Sequence, residues 1–138
     1  MDLVVDDLER QSVADALVAS QATLLEVEAG QFVLAAQWAD LHPAESLHSP
    51  VMPGMERPRR YGDDGTPFAG EFAAAELGVL LGRSHVAAAT LMADALDVRH
   101  RLPSLWAALL DGSVRVWQAG QARRVPHPRE RPDPGAGP

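Results

Sequence analysis

Val13, Leu17, Leu24, Val27, Leu34, Trp38 and Leu41 recur at steps of three and four residues, with Ser20 and Gln31 filling the polar places in the series. That spacing is a heptad seam along one face of a helix. The chain from about Val5 to Leu41 is therefore predicted to form a single helix, roughly 55 Å long at 1.5 Å per residue. Such a helix outruns what a small domain covers, so the seam serves either pairing with a second copy or packing on the chain's own later helices. Gly30 is a candidate bend, since glycine weakens a helix interior by about 1 kcal/mol relative to alanine. His42-Pro43 ends the helix because a residue before proline is pushed out of the α region.

The next stretch loses this periodicity. Residues 42–67 hold Pro43, Pro50, Pro53, Pro58 and the Gly62-Asp63-Asp64-Gly65 turn, with few apolar anchors, and read as a flexible linker. Residues 68–125 read as a small bundle of short helices. Glu71 to Leu81 carries Phe72, Leu77, Leu80 and Leu81 on one face and stops at Gly82. Ser84 caps a helix to about Arg101, with Ala87, Ala88, Leu91, Ala95 and Val98 in period. Pro103 opens a third helix with Leu105, Trp106, Leu109 and Leu110, and Asp111-Gly112 ends it. Ser113 caps a fourth with Val114, Val116 and Trp117. Residues 126–138 are rich in proline, arginine and glycine and read as a disordered tail. The expected fold class is all-α: a long N-terminal helix plus a small helical bundle containing a helix-turn-helix-like hairpin.

Composition narrows the chemistry. The 138 residues include no Cys, which excludes disulfides, cysteine zinc sites and a thiol nucleophile, and points to a cytoplasmic protein. The N-terminus lacks a basic signal-like region, and no apolar run is long enough for a membrane span. Lys, Asn and Ile are also absent, so all 12 basic residues are Arg, a usage typical of GC-rich coding. Residues 1–41 carry eight acids against Arg10 alone, a balance of −7, while the remainder is neutral; the first helix repels nucleic acid.

No catalytic, metal or cofactor set is present in the pattern. The five histidines are scattered, with no metal-ligand pair, phosphate-cradling loop or nucleophile elbow. The most specific local signal is the Glu76-to-Ser84 string, in which Gly78 stands where two helices must cross closely. If this hairpin reads DNA, the outward candidates of its reading helix are His85, Ala89, Thr90 and Ala93, with Arg83, His85, Thr90, Arg99 and Arg101 as the possible contacts. Against that, four acids face three arginines between Glu71 and Arg101, and a purely structural hairpin fits the charge better. Arg99-His100-Arg101 also suits a helix C-terminus, where cations meet the macrodipole, with Asp94, Asp97 or Asp111 as ion-pair partners. Trp106 and Trp117 read as core anchors. Arg57, Arg59 and Arg60 beside Tyr61 form a small basic run suited to phosphate or a base; Glu56, Asp63 and Asp64 neutralise it, which favours a solvated loop.

Taken together, Phe72-Ala73-Ala74-Ala75-Glu76-Leu77, Leu91-Met92-Ala93-Asp94-Ala95-Leu96, Arg99-His100-Arg101-Leu102-Pro103, Trp106, Gly112, Val114 and Trp117 resemble the 13E12 repeat family of high-GC bacteria. The shared N-terminal region of that family is domain of unknown function 222. The resemblance implies the non-catalytic N-terminal part of an HNH-endonuclease-associated protein, with DNA as a candidate partner. The HNH domain itself would lie beyond this chain, and no nuclease residue carries over. The departure after Ala119 into a Pro/Arg tail implies a truncated or frameshifted member. The alternative is a protein-interaction or dimerisation module that uses the Val13-to-Leu41 seam and reads no nucleic acid.

Overall fold

Alanine, leucine, glutamine and glutamate, all good helix formers, make up more than half of the N-terminal helix. In the computed structural model, which describes residues 9–47 and 54–124, helix α1 spans Arg10–Asp40 and is about 46 Å long. Its buried residues are Phe32, Ala35, Ala36 and Ala39, all in its C-terminal third. The helix crosses Gly30 without a break. The start of the predicted helix before Glu9, residues 48–53 and the tail at 126–138 lie outside the described residues.

Four further helices follow: α2 (Ala73–Leu81), α3 (His85–Arg101), α4 (Pro103–Leu110) and α5 (Val116–Arg124). The 17-residue α3 is the hub, packing against α1, α2, α4 and α5. Its start follows from Ser84, whose hydroxyl accepts the Ala87 N–H at 3.1 Å. Gly82 ends α2 in the left-handed region at φ +65°, and the Arg83 N–H reaches back 2.9 Å to the Gly78 carbonyl. Among the described residues the fold is helical apart from one small antiparallel pair, β1 (Pro58–Arg60) with β2 (Phe68–Gly70).

That pair corrects the linker reading for residues 54–67. Tyr61 is buried, and its hydroxyl lies 2.9 Å from the Gly70 carbonyl, 2.8 Å from that of Glu71 and 3.4 Å from the Ala74 N–H, which donates to it. Burial raises the phenol above its ordinary pKa of 10.0, partly opposed by the Ala74 N–H and the Arg59 charge. Glu71 belongs to this hairpin, its N–H donating to the Arg57 carbonyl at 2.9 Å, so α2 starts two residues later than expected.

The core is built from small residues. Eleven of the eighteen buried apolar residues among those described are alanines, with Phe32, Met92, Leu96 and Leu109 the largest contributors. The buried face of α2 is Ala73, Ala74, Leu77 and Gly78, whereas Leu80 and Phe72 of the expected face are largely exposed. Trp106 packs against the core with its ring 6.2 Å from Phe32, but Trp117, expected as a core anchor, is half exposed and lies outside the core cluster. Ser113 is held by Asp111 rather than capping α5.

Two local features give direct tests. A Cβ at Gly78 would stand 2.8 Å from the Arg83 carbonyl oxygen, a backbone atom fixed by the turn. Gly78→Ala gains about 1 kcal/mol of helix propensity but forces the α2–α3 crossing apart, so a net loss of about 1–2 kcal/mol is expected; denaturant unfolding measures it. At the end of α4, the Asp111 carboxylate accepts the Ser113 hydroxyl and its N–H, the latter at 2.8 Å, and these bonds hold its pKa below 3.8. The lowered value favours the folded state above the ordinary carboxylate range, and this contribution fades as pH falls through the folded pKa. An NMR titration of Ser113→Ala is expected to return Asp111 toward 3.8.

Candidate functional site

Three surfaces compete for a function. The first is the outer face of α1, where the heptad seam falls away from the core. Leu17, Leu24, Val27, Leu34 and Leu41 are between 49% and 69% exposed, and Val18 joins them at 71%. Val13 is half-buried. Trp38 turns inward, its indole N–H donating to the Ala73 carbonyl at 2.9 Å and fastening α1 to the first turn of α2. Apolar grooves flank the seam on both sides. One, of about 270 Å³, runs between α1 and α2 past Leu34, Trp38, Leu41, Leu77 and Leu80. The other, of about 700 Å³, lies between α1 and the α4–α5 corner, lined by Leu25, Ala29, Val33, Leu109 and Val114. Leu34 borders both.

The second surface is the set of arginines expected to face DNA. The structure disperses them. Arg83 turns to α1, where Nη2 donates to Gln31 Oε1 at 3.2 Å. Arg99 is paired with Asp40 at 2.6 Å rather than with an acid of its own helix. Arg101 bridges Asp63 at 2.8 Å and lies 3.8 Å from Asp97, the latter one of the partners expected from spacing. Holding Arg99 and Arg101 on the chain's own carboxylates lowers what they offer to phosphates, while Arg83, on a neutral amide, keeps its charge.

Arg101 also marks the edge of a charged network that the sequence conceals. Asp97 is 1% exposed, and its Oδ1 accepts the Asp63 N–H at 2.6 Å while Oδ2 receives Arg123 Nε. Arg123 Nη1 donates to Asp94 at 2.8 Å. Burial works against the guanidinium's charge, but the hydrogen bond and charge of Asp97, with the charges of Asp94 and Asp63 behind, leave its pKa raised above the ordinary arginine value. The chain closes on this network tightly: a Cβ at Gly62 would lie 2.6 Å from Asp97 Oδ1. The network fastens α5 and the loop after β1 to α3. The only signal for it in the sequence is an i, i+3 pair of aspartates in the otherwise apolar middle of a helix.

The third surface is a polar cleft of about 230 Å³ between β1, α3 and α5. It gathers His85 and Thr90 with Arg59, Tyr61 and Arg123, over a floor of Ala89 and Ala93. Of the five residues named for DNA contact, only His85 and Thr90 are brought together here.

Comparison of the chain with protein-family models, curated proteins and solved structures finds no match. Among the described residues, no helix is long and apolar enough to cross a membrane.

Proposed function

We propose that this chain is a non-catalytic helical association module that pairs with a second copy through the outer face of α1, and that it forms the N-terminal portion of a protein of the 13E12 type. The observation that carries the reading is the exposure of Leu17, Leu24, Val27, Leu34 and Leu41 on a helix with no buried residue before Phe32. Helices in proteins draw most of their stability from packing of an amphipathic face rather than from propensity. A copy of the same seam covers it with complementary spacing.

The magnitudes favour a weak dimer. Ten side chains, five from each copy, each with about half their surface still wet, give roughly 10 kcal/mol at about 1 kcal/mol apiece. Association itself costs about 4–15 kcal/mol, so the net gain is at most about 6 kcal/mol, a dissociation constant of roughly tens of micromolar at the tightest. The acids Asp15, Glu26, Glu28 and Asp40 outnumber Arg10 on α1, and their repulsion across a pair is screened by salt. Dimerisation is therefore strengthened by salt, whereas binding to DNA is weakened by it. Light scattering on the chain at rising concentration, in low and moderate salt, tests the proposal. A concentration-dependent dimer that grows with salt supports it, and a monomer at every concentration overturns it. Duplex reading by the α2–α3 hairpin is the lesser reading, because Arg83, Arg99 and Arg101 are each engaged within the chain.

A further inference from the structure

The cleft between β1, α3 and α5 has a composition that neither core packing nor pairing through α1 requires. Its floor is small, Ala89 and Ala93, which leaves room above α3. Beside the exposed Val86, its lining carries groups that donate hydrogen bonds: the Arg59 guanidinium, the Thr90 hydroxyl and the His85 ring. Arg59 lies 4.5 Å above the Tyr61 ring and forms no ion pair among the described residues, unlike its neighbour Arg60, which is paired with Asp64 at 3.0 Å. Arg123 closes the inner wall. Its Nε and Nη1 are directed to Asp97 and Asp94, one guanidinium against two carboxylates, so Arg123 offers no spare charge, and Arg59 is the cation of the cleft that forms no ion pair among the described residues.

These observations come from separate parts of the chain. Arg59 and Tyr61 belong to a basic run, His85 and Thr90 to one face of α3, and Arg123 to the last helix; the fold brings them to one place. A planar guanidinium held on an aromatic ring is fixed in direction, and its fork suits the oxygens of an oxyanion. The volume, about 230 Å³, is below the roughly 300–1,000 Å³ of drug-sized sites. It suits a group of a few heavy atoms rather than a whole cofactor. We infer that this cleft binds a single phosphate group, with Arg59 supplying the charge and Thr90 and His85 orienting hydrogen bonds.

Such a group comes either from a small phosphomonoester or from the backbone of a nucleic-acid strand. The test is an NMR titration of the isotopically labelled full chain with inorganic phosphate, at ionic strength held constant with chloride. The expected result is saturable movement of the Tyr61, Ala89 and Thr90 amides. Arg59→Ala is expected to weaken binding at least tenfold and Thr90→Val several-fold, while Arg57→Ala leaves it unchanged. Both Arg59 and Thr90 are exposed, and the spectrum of each variant reports whether the fold is kept. Shifts that never saturate, that spread equally over the other arginines, or that survive both Arg59→Ala and Thr90→Val overturn the inference. A short single-stranded oligonucleotide and glycerol phosphate, each competed against inorganic phosphate, then identify the source: displacement by the first assigns a strand backbone, and displacement by the second alone assigns a small phosphomonoester.

Discussion

Asp97→Ala is expected to remove about 3–5 kcal/mol of stability, the range found when one partner of a buried ion pair is deleted. Asp97 is 1% exposed and receives three groups at once: the Asp63 N–H, Arg123 and, at longer range, Arg101. Deleting it leaves Arg123 with Asp94 alone and the Asp63 N–H without its acceptor. Since whole domains have only about 5–15 kcal/mol in reserve, the variant is expected to be largely unfolded well below the melting temperature of the parent. Asp97→Asn keeps an acceptor for the Asp63 N–H but loses the charge, and is expected to fall between the two. Thermal and urea unfolding, with Trp106 and Trp117 as probes, measure the series. A loss below 1 kcal/mol for Asp97→Ala would mean that the network does not fasten α5.

The second large effect concerns assembly rather than folding. The double variant Leu17→Glu with Leu24→Glu places four new carboxylates in a symmetric pair while changing side chains that are 65% and 49% exposed in the single chain. Each substitution removes an apolar contact and adds like charge to an acidic helix. At about 1 kcal/mol or more for each of four sites, the pair weakens by roughly 4 kcal/mol, close to a thousandfold in dissociation constant. The bundle itself is expected to lose less than about 0.5 kcal/mol, as surface substitutions do. Val79→Glu, on α2 and 83% exposed, is the control and is expected to leave the mass unchanged. Sedimentation velocity at fixed concentration distinguishes these outcomes, and a double variant that still dimerises would remove the seam from the interface.

The helices were legible because their ends carry strong local chemistry. Ser84 at the start of α3, Pro103 at the start of α4 and Gly82 at the end of α2 each act through their own backbone or side chain, with no help from distant residues. Gly78 was legible for a similar reason, since a hairpin crossing at a short turn demands a residue without a side chain. What escaped depends on partners far along the chain. The strands β1 and β2 have three residues each and no alternation, so neither resembles a strand until the other lies beside it. The charges of Asp97 and Arg123 look like ordinary solvated groups because the two residues are 26 positions apart and meet only in the fold. On α1, the large residues drew the eye to the seam, yet the face that enters the core is Phe32, Ala35, Ala36 and Ala39. The phosphate cleft was half legible: the basic run around Arg59 and the α3 pair His85 and Thr90 were each visible, but not that they share a wall.

An interior filled mainly by methyl groups inverts the usual map of tolerance to mutation. In most domains the damaging changes carve holes, because large buried side chains are cut down. Here eleven of the eighteen buried apolar positions are already alanine and have almost nothing to lose by truncation. They are vulnerable to growth, since one added branch at Ala36, Ala88 or Ala95, each fully buried, pushes two helix backbones apart. A deep substitution library is therefore expected to show its strictest size limits at these small positions along α1 and α3. The widest latitude would fall on the leucines and valines that face outward.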